Sequence, residues 1–368
     1  MNDPVSGLLP DFPWDTIAGA KARAIAHVGG LCDLSVGTPV DPVPALASES
    51  LAAAGVRWAG YPTVWGTAEL RRAIIDYLTT RWSSVPLTDA HVLPVIGTKE
   101  LVAHLPLQLG VGRGDVVVFP EIAYPTYEVG ARLAGAQPVA CDDPARMAEL
   151  RPALIWINSP ANPHGEILDA ERVRNWVQAA RGCGAILASD ECYGEFAWDA
   201  EPVSVLHPDV CGGSAEGLIA AFSLSKRSNV AGFRAGFLAG DPALLGELLA
   251  VRRHSGMMLP GPIQDAMVPL LRDDAHVAVQ RRRYQRRREI LRPALEQAGL
   301  RIEHSQGSLY LWATRDEPCR ATVDFLAGLG ILAAPGDFYG PAGDRFVRIA
   351  LTATDERVEA AASRLRTA

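Results

Sequence analysis

The chain has 368 residues, 48% of them hydrophobic and 21% charged, with a formal net charge of -7. That length is ample for a large buried core and for about two domains. The acidic balance excludes general nucleic-acid binding, which needs a basic surface.

The first residues, "MNDPVSGLLPDFPWDTIAGAKARA", show no basic start ahead of an apolar stretch and do not read as a signal peptide. No apolar run reaches about 18 residues, so no membrane span is expected. Residues 1–45 are rich in Pro and Gly around one helical stretch near 15–28. Helix patterns follow at 43–55, 67–82 and 98–109. "GVGRG" (110–114) looks like a scrap of a dinucleotide fingerprint. Those glycines, however, must follow a strand and open a helix; here they follow a helix and precede a strand, so they read as a turn.

"DVVVFP" (115–120) predicts a buried strand, and a helix follows near 124–135. "PALIWINSP" (152–160) predicts another strand, with a helix at 168–182. "GAILASDE" (184–191), "GLIAAFSLS" (217–225) and "AGFLAG" (235–240) continue the series. Short apolar runs alternating with helices of about 10–15 residues imply crossover units and a mostly parallel sheet with helices on both faces.

Near 275 the pattern changes. "AHVAVQRRRYQRRREILRPALEQAGL" reads as one long helix, and its arginine cluster as a solvated face. Strands at "SLYLWAT" (308–314) and "RFVRIALT" (345–352) are each followed by a helix. The fold class is therefore α/β. A large domain at 46–274 carries a mostly parallel mixed sheet between helices. A smaller α+β domain comprises 275–368 together with 1–45. The six cysteines, Cys32, Cys141, Cys183, Cys192, Cys211 and Cys319, form no C-x-x-C pair. They read as reduced buried thiols of a cytoplasmic protein, with no metal site expected.

Ligands of open α/β sheets bind at the carboxyl ends of strands. "NSPANPHG" brings Asn162 to the end of one predicted strand, and "SDECY" brings Asp190 and Tyr193 to the next. "SLSKRSNVAGFRAGF" (223–237) brings Ser223, Ser225 and Lys226, with Arg234 before the following strand. Of the 35 Lys and Arg residues only Lys21, Lys99 and Lys226 are lysines. An amine that does chemistry usually forms an imine with a carbonyl. An arginine with hydroxyls suits a phosphate, and a buried aspartate can hold a ring nitrogen protonated. Pyridoxal 5'-phosphate carries all three partners: an aldehyde, a phosphate and a pyridine nitrogen.

In these elements the chain resembles the fold-type-I pyridoxal-phosphate enzymes of the class I/II aminotransferase family. "S-x-S-K-x(7)-R-x-G", "N-x-P-x-N-P-x-G" and "D-x-x-Y" all match. "LSVGTPVD" (34–41), "YPTVWGTAELRRAI" (61–74), "IGTKE" (96–100), "PEIAYPTY" (120–127), "PGDFYG" (335–340) and "VRIALT" (347–352) follow in the expected order. The resemblance implies that Lys226 forms the imine with the cofactor and shuttles protons, and that Asp190 pairs with the ring nitrogen. Asn162 and Tyr193 would bond the ring's phenolic oxygen, and Tyr124 would stack on the ring. Thr98 and Lys99 at a helix start, with Ser223, Ser225 and Arg234, would hold the phosphate. Tyr61 would reach the phosphate of a neighbouring subunit, which implies a homodimer. Arg348 and Gly37 would hold the substrate carboxylate.

Finer similarity, in "LPDFPWDTIAGAKARA", "DLSVGTPVDPVP", "GYPTVWGT" and "VLPVIGTKELVAHLP", is to the actinobacterial branch of succinyldiaminopimelate aminotransferases. It implies glutamate as amino donor and N-succinyl-2-amino-6-oxopimelate as acceptor, in lysine and diaminopimelate synthesis. Lys99 is the first candidate for a further carboxylate, with Arg252 and Arg253 behind it. The alternatives are an alanine, aspartate or aromatic aminotransferase and a carbon–sulfur β-lyase. A pyridoxal-phosphate-binding transcription regulator would need a DNA-binding domain ahead of the match, and the match begins within the first 40 residues.

Overall fold

The computed structural model describes residues 5–54 and 57–368. Its strands in chain order are β1 (Cys32–Asp33), β2 (Val92–Val95), β3 (Val116–Phe119), β4 (Gln137–Ala140), β5 (Leu154–Asn158), β6 (Ile186–Asp190) and β7 (Leu218–Ser223). They continue as β8 (Gly236–Gly240), β9 (Arg301–Glu303), β10 (Tyr310–Thr314), β11 (Ile331–Leu332), β12 (Ala334–Pro335) and β13 (Val347–Ala350).

Seven strands form one sheet in the order β2-β8-β7-β6-β5-β3-β4. β8 runs antiparallel to β2 and β7, and the other pairs are parallel. The central strands are apolar on both faces, as a sheet covered on both sides requires. In β7, Leu218, Ala220 and Phe222 join one apolar cluster while Ile219 and Ala221 join the other. The first face is covered by helices Ala68–Trp82, Ala170–Cys183 and Gly261–Arg272. Helices Thr98–Gln108, Thr126–Ala134 and Pro242–His254 cover the second. Burying one large apolar side chain in such a layer contributes about 1.5–3 kcal/mol.

The expected central strands and helices are present, with ends shifted by one to three residues. The edge strands β2 and β4 have no counterpart in the sequence reading. β2 holds Pro94 and β4 holds Pro138. Proline lacks the donor a central strand needs and is at home on an edge. Both helices between Pro242 and Arg272 were also unforeseen; prolines at their first turns and within the second obscure the pattern.

A second antiparallel sheet has the order β12-β13-β10-β9, and β1 pairs in parallel with β11. A separate apolar cluster packs here, with Tyr284, Leu291 and Leu295 of helix Ala275–Gln297 and Val358 of helix Asp355–Leu365. The arginine cluster of the long helix is not simply a solvated face. Arg287 is 2% exposed and donates to Asp41 and to Asp355, the latter at 2.7 Å. Arg286 reaches Asp355 and Arg288 reaches Asp199. A buried guanidinium needs such partners, since an unpaired charge there costs several kcal/mol. Among the described residues no helix is long and apolar enough to cross a membrane.

Candidate active site

Sheet register brings the site together. Asn158 closes β5 opposite Asp190, which closes β6. Asp190 lies opposite Ala221 of β7, two residues before Ser223. Ser223 closes β7 opposite Gly236, and Gly236 lies opposite Val95 at the end of β2. The ends of β2, β5, β6 and β7 and the start of the antiparallel β8 thus share one edge.

Ser223 caps the short helix Leu224–Arg227, its Oγ accepting from the Ser225 N–H at 3.1 Å. That turn carries Lys226. The Lys226 Nζ donates to the Gly37 carbonyl. Burial lowers the pKa of this amine; the Arg348 and Arg234 charges act the same way, against Tyr310. A lowered pKa increases the share of neutral amine, the form that can attack a carbonyl or take a proton.

Asp190 is buried and held from two sides. Tyr127 donates its O–H to Oδ2 at 2.9 Å, and the Cys192 N–H donates to Oδ1 at 3.1 Å. The Tyr127 ring stacks on Trp156 with centroids 5.0 Å apart. Burial raises the Asp190 pKa, and hydrogen bonds from Cys192 and Tyr127 oppose the rise. A cation placed beside this carboxylate would draw it back to the ionised form.

Helix Thr98–Gln108 begins at the same edge, its first N–H groups free of intrahelical partners. Gly97 precedes it with φ +90°, and a Cβ there would lie 2.1 Å from Arg234 Nη2. The bare glycine lets the Arg234 guanidinium lie against the helix start. Positive dipole end, guanidinium and the Ser223 and Ser225 hydroxyls together make an anion cradle.

On the opposite wall, Arg348 of β13 is 3% exposed. Its Nη1 donates to Asn162 Oδ1 at 2.9 Å and its Nη2 to the Ser35 carbonyl at 2.6 Å. Its Nε is buried without a partner. A buried donor left unmade costs about 1–3 kcal/mol, so this guanidinium is set to receive an acceptor such as a carboxylate. The contact with Oδ1 leaves the Asn162 Nδ2 free to donate elsewhere.

Gly37, Thr98, Lys99, Tyr124, Asn162, Asp190, Tyr193, Ser223, Ser225, Lys226, Arg234 and Arg348 all line one cavity of about 770 Å³. Burial pushes the Tyr124 hydroxyl up to about 12. Tyr61 is not among the lining residues and stands 96% exposed. Arg252 is not a free cation for a substrate carboxylate: it is fully buried, donates to Glu100 and Gln108 at 3.1 Å and does not line the cavity. Arg253 does not line the cavity either.

Sequence reasoning missed Tyr127, Asn158, Cys192 and Tyr310, and the rim residues Phe12 and Trp14. Tyr310 is brought in by the pairing of β10 with β13. Trp312 of β10 lies opposite Arg348 of β13, and strand alternation puts Tyr310 on the same face as Trp312. Cys183 and Cys192 are only partly buried, unlike the buried thiols expected.

These groups fit pyridoxal 5'-phosphate. The cradle matches its phosphate, Asp190 its ring nitrogen, Lys226 its aldehyde and Tyr124 its ring face. Gly97→Ala is expected to weaken cofactor binding about 10-fold or more, because the left-handed backbone and the displaced Arg234 each cost on the order of 1 kcal/mol. Titration of the apoprotein with the cofactor, followed by absorbance, checks this; unchanged affinity would remove Gly97 from the cradle.

The family model for aminotransferase class I and II matches residues 30–365. A protein of Mycobacterium tuberculosis named a probable aminotransferase is 57% identical over 361 residues, covering 98% of this chain and 86% of that protein. The 4-dedimethylamino-4-oxo-anhydrotetracycline transaminase OxyQ of Streptomyces rimosus is 54% identical over 357 residues, covering 97% and 99%. The solved structure of a probable N-succinyldiaminopimelate aminotransferase from Thermus thermophilus superposes with a TM-score of 0.88 at 28% identity, covering 97% of this chain and all of that one. With the match spanning nearly the whole chain, this protein belongs to the class I and II aminotransferases, enzymes that work with pyridoxal 5'-phosphate.

Proposed function

We propose that this aminotransferase carries an amino group from glutamate to N-succinyl-2-amino-6-oxopimelate, in lysine and diaminopimelate synthesis. The observation that carries the reading is the placement of two cations on one cavity. Arg348 offers a buried, unpartnered Nε, and Lys99 lines the same space from the start of helix Thr98–Gln108. Donor and acceptor both carry a carboxylate next to the reacting carbon and another farther off. Arg348 takes the first and Lys99 the second. The likeness to the Thermus thermophilus protein supports the same substrate.

When bound, the cofactor supplies an aldehyde that takes up the amino group and a ring that draws electrons from the α-carbon. Lys226 would hold that aldehyde, and its lowered pKa suits an amine that must be neutral to act. Its neutral Nζ would be the base that takes the proton from the substrate α-carbon. Asp190 would keep the ring nitrogen protonated, and Tyr193 and Asn162 would hold the phenolic oxygen. Arg348 fixes the carboxylate and so aims the α-carbon at Lys226. Tyr61, outside its own chain's cavity, serves the phosphate of a second copy in a homodimer. Residues 46–274 form the cofactor-binding unit, and 1–45 with 275–368 the smaller one; the pairing of β1 with β11 supports that division.

A second reading takes a bulky cyclic ketone as acceptor. Phe12 and Trp14 line the same cavity, and the Streptomyces rimosus relative is named for such a substrate. A panel of acceptors assayed with glutamate separates the readings. Highest kcat/KM with the succinylated ketopimelate supports the first. Preference for a polycyclic ketone, pyruvate or an aromatic keto acid overturns it, and keto-acid-independent sulfide release would point to a β-lyase.

Arg348→Ala is expected to raise KM for glutamate about 10- to 100-fold, the cost of one charge-assisted pair, with cofactor affinity little changed. It also removes a charge that lowers the Lys226 pKa, so the free amine of the apoprotein will titrate higher. Unchanged KM would take Arg348 out of the substrate site.

A further inference from the structure

Tyr310 is 2% exposed, opens β10 and lines the active-site cavity, and nothing in the roles above uses it. Its hydroxyl lies 2.9 Å from the Tyr193 hydroxyl, with the two rings edge to face at 5.7 Å. The Arg348 guanidinium sits over its ring at 4.1 Å. A Cβ at Gly37 would fall 2.0 Å from its hydroxyl oxygen, so the glycine admits it. The same Gly37 accepts from Lys226 through its carbonyl. One side chain therefore touches the residues read as holding the substrate carboxylate and one read as holding the cofactor.

We propose that Tyr310 is a positioning residue: its hydroxyl holds and polarises the Tyr193 hydroxyl, and its ring seats Arg348. The inference rests on the reading of Tyr193 as a donor to the cofactor's phenolic oxygen. Tyr193 has one O–H. If that proton is given to the phenolic oxygen, the bond between the two tyrosines requires Tyr310 to donate to Tyr193. Burial holds the Tyr193 hydroxyl well above its ordinary pKa, so it keeps that proton at neutral pH. Hydrogen bonds in a chain strengthen one another, by about 10–30% per bond. Tyr310 thus makes Tyr193 a better donor.

The sign follows. A bond donated to the phenolic oxygen favours the state with most negative charge on that oxygen, which is the state in which the lysine–cofactor linkage has lost its proton. Weakening the donor raises the pH at which that proton leaves.

The test is a pH titration of cofactor absorbance in the holoenzyme, without substrate, for wild type, Tyr310→Phe, Tyr193→Phe and the double variant. Tyr310→Phe keeps the ring and is expected to move the midpoint up by about 0.2–0.6 pH units, a tenth to a third of a charge-assisted hydrogen bond. In the Tyr193→Phe background the same change is expected to add nothing. Gly37→Ala, which crowds the Tyr310 hydroxyl, should shift the midpoint in the same direction. Tyr310→Leu removes the ring as well and is expected to raise KM for glutamate about 10-fold, while Tyr310→Phe leaves KM within about twofold. An unmoved midpoint in Tyr310→Phe, or an equal shift with and without the Tyr193 hydroxyl, overturns the proposal. Because the titration uses no substrate, it stands apart from whether the acceptor has been identified correctly.

Discussion

Lys226→Ala is expected to keep the fold and cofactor-sized cavity and to lower transamination by more than about 10⁴-fold. General base catalysis alone accounts for roughly 10²–10⁴-fold, and this lysine also provides the covalent exchange with the cofactor aldehyde. Among the described residues at the sheet edge, none offers an amine in its place. Lys99 lies in the first turn of the neighbouring helix, where the phosphate cradle lies, and Arg234 and Arg348 carry guanidiniums rather than an amine. Steady-state rates with glutamate, beside circular dichroism to verify folding, check the outcome. A folded variant that still cycles amino groups at near wild-type rate would assign the chemistry elsewhere.

The second large effect is at Asp190. Asp190→Asn is expected to lower kcat by about 10²–10³-fold, the scale for losing one buried electrostatic stabiliser. A neutral amide cannot hold the ring nitrogen protonated, and without that proton the ring draws electrons weakly from the α-carbon. Stability carries an independent signature. Burial raises the carboxyl's pKa on folding, so the folded apoprotein binds the proton more tightly than the unfolded chain does. Such a group costs stability as pH rises through and beyond its unfolded pKa, near 3.9. Above that pH the Asn variant's apoprotein should melt no lower than wild type and gain less Tm when the cofactor is added. A larger Tm gain than wild type would contradict the pairing of Asp190 with the ring.

Much of the large sheet was legible because its central strands are buried on both faces and spell continuous apolar runs, as in "ALIWIN" and "LIAAF". The edges were not, since Pro94 and Pro138 break the strand pattern where a missing donor is harmless. Several of the site residues that could be read from the sequence sit directly at strand ends or helix starts. Asp190, Ser223 and Lys226 belong to that class. Tyr127 and Tyr310 do not: one comes from the second position of a helix and reaches Asp190 across the packing layer, the other from a strand of the smaller sheet. Their roles depend on how separate elements dock, which local spacing does not encode. Arg252 shows the opposite failure. It reads as a spare cation in sequence, yet its partners Glu100 and Gln108 lie about 150 positions earlier in the chain and close it off inside the fold.

The scarcity of lysine makes the central claim directly measurable, since Lys21, Lys99 and Lys226 are the only ones. Holoenzyme reduced with borohydride, digested and mapped by mass spectrometry should carry one phosphopyridoxyl group, on the peptide containing Lys226. Finding it on Lys21 or Lys99, or finding none on protein incubated with excess cofactor, would contradict the account.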